Sequence, residues 1–89
     1  MKPVISIIIP SYRRPALLAR CIAALRDQRF PRNLYEIIVV SDGPDASTAA
    51  IASSFPGRPL VRYHALRQKR GPAAARNAGW QMAAGRLIL

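Results

Sequence analysis

The hydrophobic pattern of this chain switches repeatedly between continuous apolar runs and the wider spacing of amphipathic helices. Val4-Ile5-Ser6-Ile7-Ile8-Ile9 is β-branched at five of six positions and stops at Pro10, which predicts a central strand buried on both faces of a parallel sheet. From Pro15 to Gln28 the apolar residues Leu17, Leu18, Cys21, Ile22 and Leu25 recur at helical spacing, and Pro15 suits a first helical turn. Arg14, Arg20, Arg26 and Asp27 fall outside that stripe. Pro31 and Asn33 mark a connection, after which Glu36–Val40 is a second short β-branched run ending in the turn residues Ser41-Asp42-Gly43-Pro44.

A second helix is expected from a cap at Asp45, with Ser47 and Thr48 as competing caps, to about Ser54, before Pro56-Gly57 closes it. Leu60–Ala65 alternates Val61, Tyr63 and Ala65 with Arg62 and His64, the pattern of a strand with one solvated face. A basic loop from Arg67 to Pro72 leads into an alanine-rich helix over Ala73–Ala84, with Gly85 as its expected stop and Arg86–Leu89 opening a fourth strand. The order β-α-β-α-β-α-β predicts an α/β fold, a Rossmann-like open parallel sheet with helices on both faces. Ligands of such sheets bind beyond the strand C-termini. There the chain offers Ser11–Arg14, Ser41–Asp45 and Leu66–Pro72, which hold a tyrosine, an aspartate and several cations.

Composition narrows the chemistry. At 89 residues the chain has room for one small domain or part of a larger one, and 51% hydrophobic residues exclude intrinsic disorder. The net charge of +10 calls for an anionic partner. Residues 46–89 hold no carboxylate at all, so they supply neither a hard-metal site nor an acidic general base. One cysteine, Cys21, excludes an internal disulfide, and its place on the helical stripe predicts a core position. The apolar runs are too short to span a bilayer, and Met1-Lys2-Pro3 with the run to Pro10 lacks the h-region of a signal peptide, so the cytoplasm is the expected compartment. Nucleic acid is not the expected partner: aromatic residues are 7% of the chain and are not interleaved with the basic ones. No G-x-G-x-x-G or G-K-[ST] loop follows the first strand.

Three segments taken together, Val4 to Pro15, Glu36 to Gly43 and Gly71-Pro72-Ala73-Ala74-Ala75-Arg76-Asn77-Ala78-Gly79, resemble the N-terminal nucleotide-binding half of family 2 glycosyltransferases. The resemblance implies the GT-A fold, an inverting transfer, a nucleoside diphosphate sugar as donor, most commonly a UDP-sugar, and Mg²⁺ or Mn²⁺ as cofactor. It also implies that Tyr12 lies against the nucleobase, that Asp42 accepts hydrogen bonds from the base or ribose, and that Pro10 and Ser11 shape the turn presenting both. Arg76 and Asn77 resemble the pair near the diphosphate at the start of the third helix, with Lys69 or Arg70 as further candidates. The family's usual Asn after the tyrosine is Arg13 here, and its Asp-Asp-Gly-Ser is Ser41-Asp42-Gly43-Pro44.

In a complete member the metal-binding Asp-x-Asp and the catalytic base would follow the fourth strand. The chain is therefore expected to be the N-terminal part of such a domain, 1–89, without catalytic residues or metal ligands of its own. The acceptor, a glycan, lipid or other envelope component, is not encoded here. Further expectations are self-association through an open sheet edge, peripheral attraction to an anionic membrane, and packing roles for Trp80 and Cys21. The bland alternatives are a solvated helical arginine at Arg76 and a solvated basic loop over Arg67, Lys69 and Arg70.

Overall fold

The computed structural model describes residues 3–89; Met1 and Lys2, the opening of the stretch that lacks a signal-peptide pattern, lie outside the described residues. The elements are β1 (Ile5–Ser11), α1 (Pro15–Arg26), β2 (Tyr35–Ser41), α2 (Ala46–Ser53), β3 (Leu60–Ala65), α3 (Pro72–Met82) and β4 (Leu87–Ile88). The strands form one parallel sheet in the order β3-β2-β1-β4, with Ile7 beside Ile37 and Ile37 beside Val61. Alternation along each strand divides the core. Ile7, Ile37, Val39 and Val61 pack with Leu18 and Ile22 of α1 and Ala52 of α2, while Ile8, Ile38 and Val40 pack with Ala75, Ala78 and Met82 of α3. The expected sheet with helices on both faces is the observed one.

β2, rather than β1, is the strand buried along its whole length. β4 pairs only with Ile5 and Ser6, and Leu89 adds a bond to Ile8, so the C-terminal half of β1 has an open flank. The same geometry lets β1 run through Pro10 to Ser11 instead of stopping at the proline. Ser6 and Ile8 bond towards β4, whereas Ser11 bonds towards β2. Pro10 shares the parity of Ser6 and Ile8, so its missing N–H removes no bond to β2.

α1 and α2 begin as read, α3 begins one residue early at Pro72, and two helices are revised at the other end. Asp45 wins the capping of α2: its carboxylate accepts from the N–H of Ser47 at 3.0 Å and from the Thr48 hydroxyl at 2.9 Å. α1 stops at Arg26, and α3 stops at Met82 with Ala83 as its cap, so Gly85 does not terminate it. Gly85 is required by close approach, because a Cβ there would lie 2.7 Å from the backbone nitrogen of Ser6. Cys21 and Leu17 are exposed although they lie on the apolar stripe; Leu18 and Ile22 are the residues α1 buries. Trp80 is also exposed rather than packed, at 63%.

A buried carboxylate ties α3 to the N-terminal end of the sheet. Glu36, only 3% exposed, accepts from the Ser6 hydroxyl at 2.6 Å, the Ala84 N–H at 2.8 Å and the Arg62 guanidinium at 3.2 Å. Arg62 also donates to the Met82 carbonyl, and Ser6 accepts from the Gly85 N–H. Every partner bonds the ionised form. Burial pushes the Glu36 pKa up, but the bonds from Ser6 and Ala84 and the bond and charge of Arg62 outweigh it and leave the pKa lowered.

Candidate functional site

The strand C-termini are aligned: Ser11 is in register with Ser41, and Ser41 with Ala65. One bond past each end continues the ladder, from Asp42 N–H to Ser11 and from Leu66 N–H to Ser41, so the three following loops leave a common fixed edge. Tyr12, Asp42 and Leu66 are thereby brought into one row.

Asp42 is 5% exposed, and both of its carboxylate oxygens are engaged. One accepts the Arg70 N–H at 2.7 Å and the other the Gly71 N–H at 3.0 Å. Charge-assisted bonds of this kind are about twice as strong as neutral ones, so they fasten the basic loop to the end of β2. Glycine is needed at two points of this arrangement. Gly43 has a φ of +101° and Gly71, the N-cap of α3, a φ of +97°, conformations that other residues rarely adopt.

Tyr12 is 40% exposed and is met by two cations: the Lys69 ammonium lies 4.3 Å from the ring centroid and the Arg13 guanidinium carbon 5.3 Å from it. Arg13 has a φ of +50°, the left-handed region that asparagine tolerates better than arginine, which gives a physical reason for the family's usual residue at this place. Asp45, which lines the same side, has its carboxyl held below its ordinary value, first by the Thr48 hydroxyl and also by the Ser47 and Thr48 N–H groups and the charge of Arg13, against a smaller opposing effect of burial.

Two adjoining clefts share Tyr12, Asp42 and Lys69. One, of about 270 Å³, is completed by Pro10, Ser11 and Pro72; the other, of about 140 Å³, by Arg13, Ser41 and the 43–45 turn. Pro10, Ser11, Tyr12 and Asp42 are thus brought together. Arg76 and Asn77 are not: they border a separate cleft of about 220 Å³ with Trp80, Ile8, Ile88 and Leu89. Lys69, left open against Arg70 by the sequence, is the basic-loop residue that lines the Tyr12 clefts. The bonds that place its loop are those from the Arg70 and Gly71 N–H groups to Asp42.

These residues do not fit a divalent metal. Glu36, Asp42 and Asp45 are each committed to the hydrogen bonds described above, and among the described residues no group of three or more His, Cys, Asp or Glu could hold an ion.

Residues 6–89 match the family described as glycosyl transferase family 2. The chain belongs to that family. It is 31% identical over 97% of its length to glycosyltransferase AglE of Haloferax volcanii, and 35% identical over 96% to a dolichyl-phosphate beta-glucosyltransferase of Drosophila melanogaster. It spans 29% of the length of each of those relatives. Among solved structures it is similar to the mannosyltransferase PcManGT from Pyrobaculum calidifontis in complex with GDP-Man and Mn²⁺, with a TM-score of 0.78 over 99% of this chain and 26% of that one. At 22% identity this likeness shows the fold, which is of the GT-A kind.

Proposed function

We propose that this chain is the donor-binding portion of an inverting glycosyltransferase that uses a nucleoside diphosphate sugar. The observation carrying this reading is that Tyr12, Asp42 and Lys69 share clefts at the C-terminal edge of the parallel sheet. An exposed aromatic ring suits a nucleobase, and cations suit a diphosphate. Pro10 and Ser11 shape the floor beside Tyr12. Arg76 and Asn77, expected near the diphosphate from the resemblance, border a separate cleft and carry no part of this reading. UDP is the nucleotide of the proposed donor, although the similar mannosyltransferase holds GDP-Man.

The relatives named above are more than three times as long, which supports placing the metal-binding acids, the base that deprotonates the acceptor and the acceptor site in further sequence. This chain's residues bind and orient the nucleotide, and no metal-dependent step is assigned to them. The experiment is an amide and side-chain NMR titration of the 89-residue chain with UDP and GDP. Shifts gathered at Tyr12, Asp42 and Lys69 are expected, larger for UDP. Shifts scattered over the arginines, with Tyr12 unmoved, would reject the reading.

A further inference from the structure

The parallel topology gathers the three connections that lead from a helix back into the sheet, 27–34, 54–59 and 83–86, at the N-terminal end of the strands, opposite the Tyr12 clefts. Each carries exposed arginine: Arg29 and Arg32 in the first, Arg58 in the second and Arg86 in the third. Each also brings an exposed apolar residue, Phe30 at 41% between the first two arginines, and Leu60 and Leu87 as the opening residues of β3 and β4. The register keeps these strand ends level, since Leu60 lies beside Glu36, and Leu87 beside Ile5, whose other neighbour is Tyr35.

Bonds hold the connections in place. Arg26 donates to the carbonyls of Pro56 and Arg58, tying the end of α1 to the second connection, while the N–H groups of Ala84 and Gly85 in the third bond Glu36 and Ser6. The positive charge is not spent within the fold. Among the described residues the ion pair is Arg62 with Glu36, so no carboxylate there neutralises Arg29, Arg32, Arg58 or Arg86, and Asp27 is the one acid on the three connections. Helix C-termini attract cations, but that effect fades within the last turn, where α1 has Arg26 and α2 and α3 have no basic residue.

We propose that this end of the sheet is a docking face for an anionic lipid bilayer, with the four arginines over the headgroups and the Phe30 ring entering the interface between Arg29 and Arg32. The proposal does not rest on the nucleotide reading. Phe30 packs against the buried Tyr35 with ring centroids 5.9 Å apart, which props its ring at the surface. A nucleic acid would use the cations alone, because Leu60 and Leu87 offer a base no stacking face, whereas a bilayer takes both the charge and the apolar surface. The seven residues of β1 separate this face from the donor clefts by about 20 Å, so a docked chain keeps the Tyr12 edge open to water.

The test is sedimentation of the 89-residue chain with vesicles of phosphatidylcholine alone and of phosphatidylcholine and phosphatidylglycerol in equal parts, each variant first shown to be folded by its amide spectrum. Binding to the anionic vesicles only is expected. Arg29→Gln/Arg32→Gln should weaken it roughly twentyfold, about fivefold for each arginine, whereas Arg20→Gln/Arg76→Gln, which removes the same charge elsewhere, should weaken it less than about threefold. In a Trp80→Phe background the emission of Phe30→Trp should shift to the blue when vesicles are added. No binding, equal binding to both kinds of vesicle, equal losses in the two double variants or an unshifted emission would each overturn the proposal. UDP that releases the chain from vesicles would also overturn it, by placing the contact at the Tyr12 edge. A short oligonucleotide that displaces the vesicles through Arg29 and Arg32 would make nucleic acid the partner instead.

Discussion

Ser6 donates its hydroxyl to Glu36 at 2.6 Å, joining the N-terminal ends of β1 and β2 on the side of the sheet that α3 covers. With Ala84 and Arg62 bonded to the same carboxylate, this group decides how firmly α3 and β4 are held. Its pKa lies below the ordinary 4.5, so its contribution is present above that value and is lost as pH falls through the lowered folded value. Asp45, lowered from 3.8, acts in the same direction. Urea unfolding should therefore be insensitive to pH above about pH 5 and weaken below it. Glu36→Gln should cost about 1–3 kcal/mol at neutral pH and flatten the acid limb. An acid limb unchanged in the variant would show that other groups carry it.

Gly79 and Gly85 both hold α3 and its exit against the sheet, but their neighbours differ. A Cβ on Gly79 would meet side-chain methyls, Cγ2 of Ile8 at 2.6 Å and of Val40 at 3.1 Å, whereas one on Gly85 would meet the Ser6 backbone at 2.7 Å. Overpacking of this sort costs about 1–3 kcal/mol, and alanine returns about 1 kcal/mol of helix propensity at Gly79 only. Gly85→Ala should therefore destabilise more than Gly79→Ala in paired denaturation curves. The reverse order would mean that the Ser6 backbone moves more readily than the Ile8 and Val40 side chains.

Arg13 combines a left-handed backbone with a cation close to Tyr12. Relief of the backbone is worth up to about 1–2 kcal/mol and an exposed cation–π contact about 0.5–1 kcal/mol. Arg13→Asn should raise stability by about 0.5 kcal/mol, read from the urea midpoint. A fall would mean that the ring contact, or the attraction of Asp45, outweighs the strain.

Much of this was legible in the residues. β3 was readable to its ends because an edge strand shows strict alternation, and Asp45 was readable as a cap because a carboxylate before Ser47 and Thr48 has two N–H groups within reach. Cys21 and Trp80 were misread for one reason. Helical spacing identifies an apolar stripe but not how much of it the sheet covers: α1 buries only Leu18 and Ile22, and α3 only Ala75 and Gly79. The site was half legible. Tyr12 and Asp42 follow their strands directly, so topology alone unites them, whereas the bond from Asp42 to residues 70 and 71 spans 28 and 29 positions and leaves no local mark.

Among the described residues no strand pairs with the outer edge of β4, and Leu87 and Leu89 beside it are 53% and 65% exposed, with Trp80 nearby. Open strand edges with apolar flanks associate, and here the net charge of +10 opposes them. The weight-average mass in sedimentation equilibrium should rise with protein concentration and rise further when salt screens the repulsion. A monomer at every concentration and salt would contradict this, and a Leu89→Lys variant should be monomeric.

The central claim is that the anion sought by this basic chain is a nucleotide seated on Tyr12. The most direct measurement is a calorimetric titration of UDP and of a short oligonucleotide into wild type and Tyr12→Ala, with and without Mn²⁺. UDP is expected to bind and Tyr12→Ala to weaken it by about 1–3 kcal/mol, the value of a base stacked on an aromatic ring. Mn²⁺ should change little, since these residues do not form a metal site. An oligonucleotide that binds far more tightly than UDP, with Tyr12→Ala leaving UDP unaffected, would contradict the account.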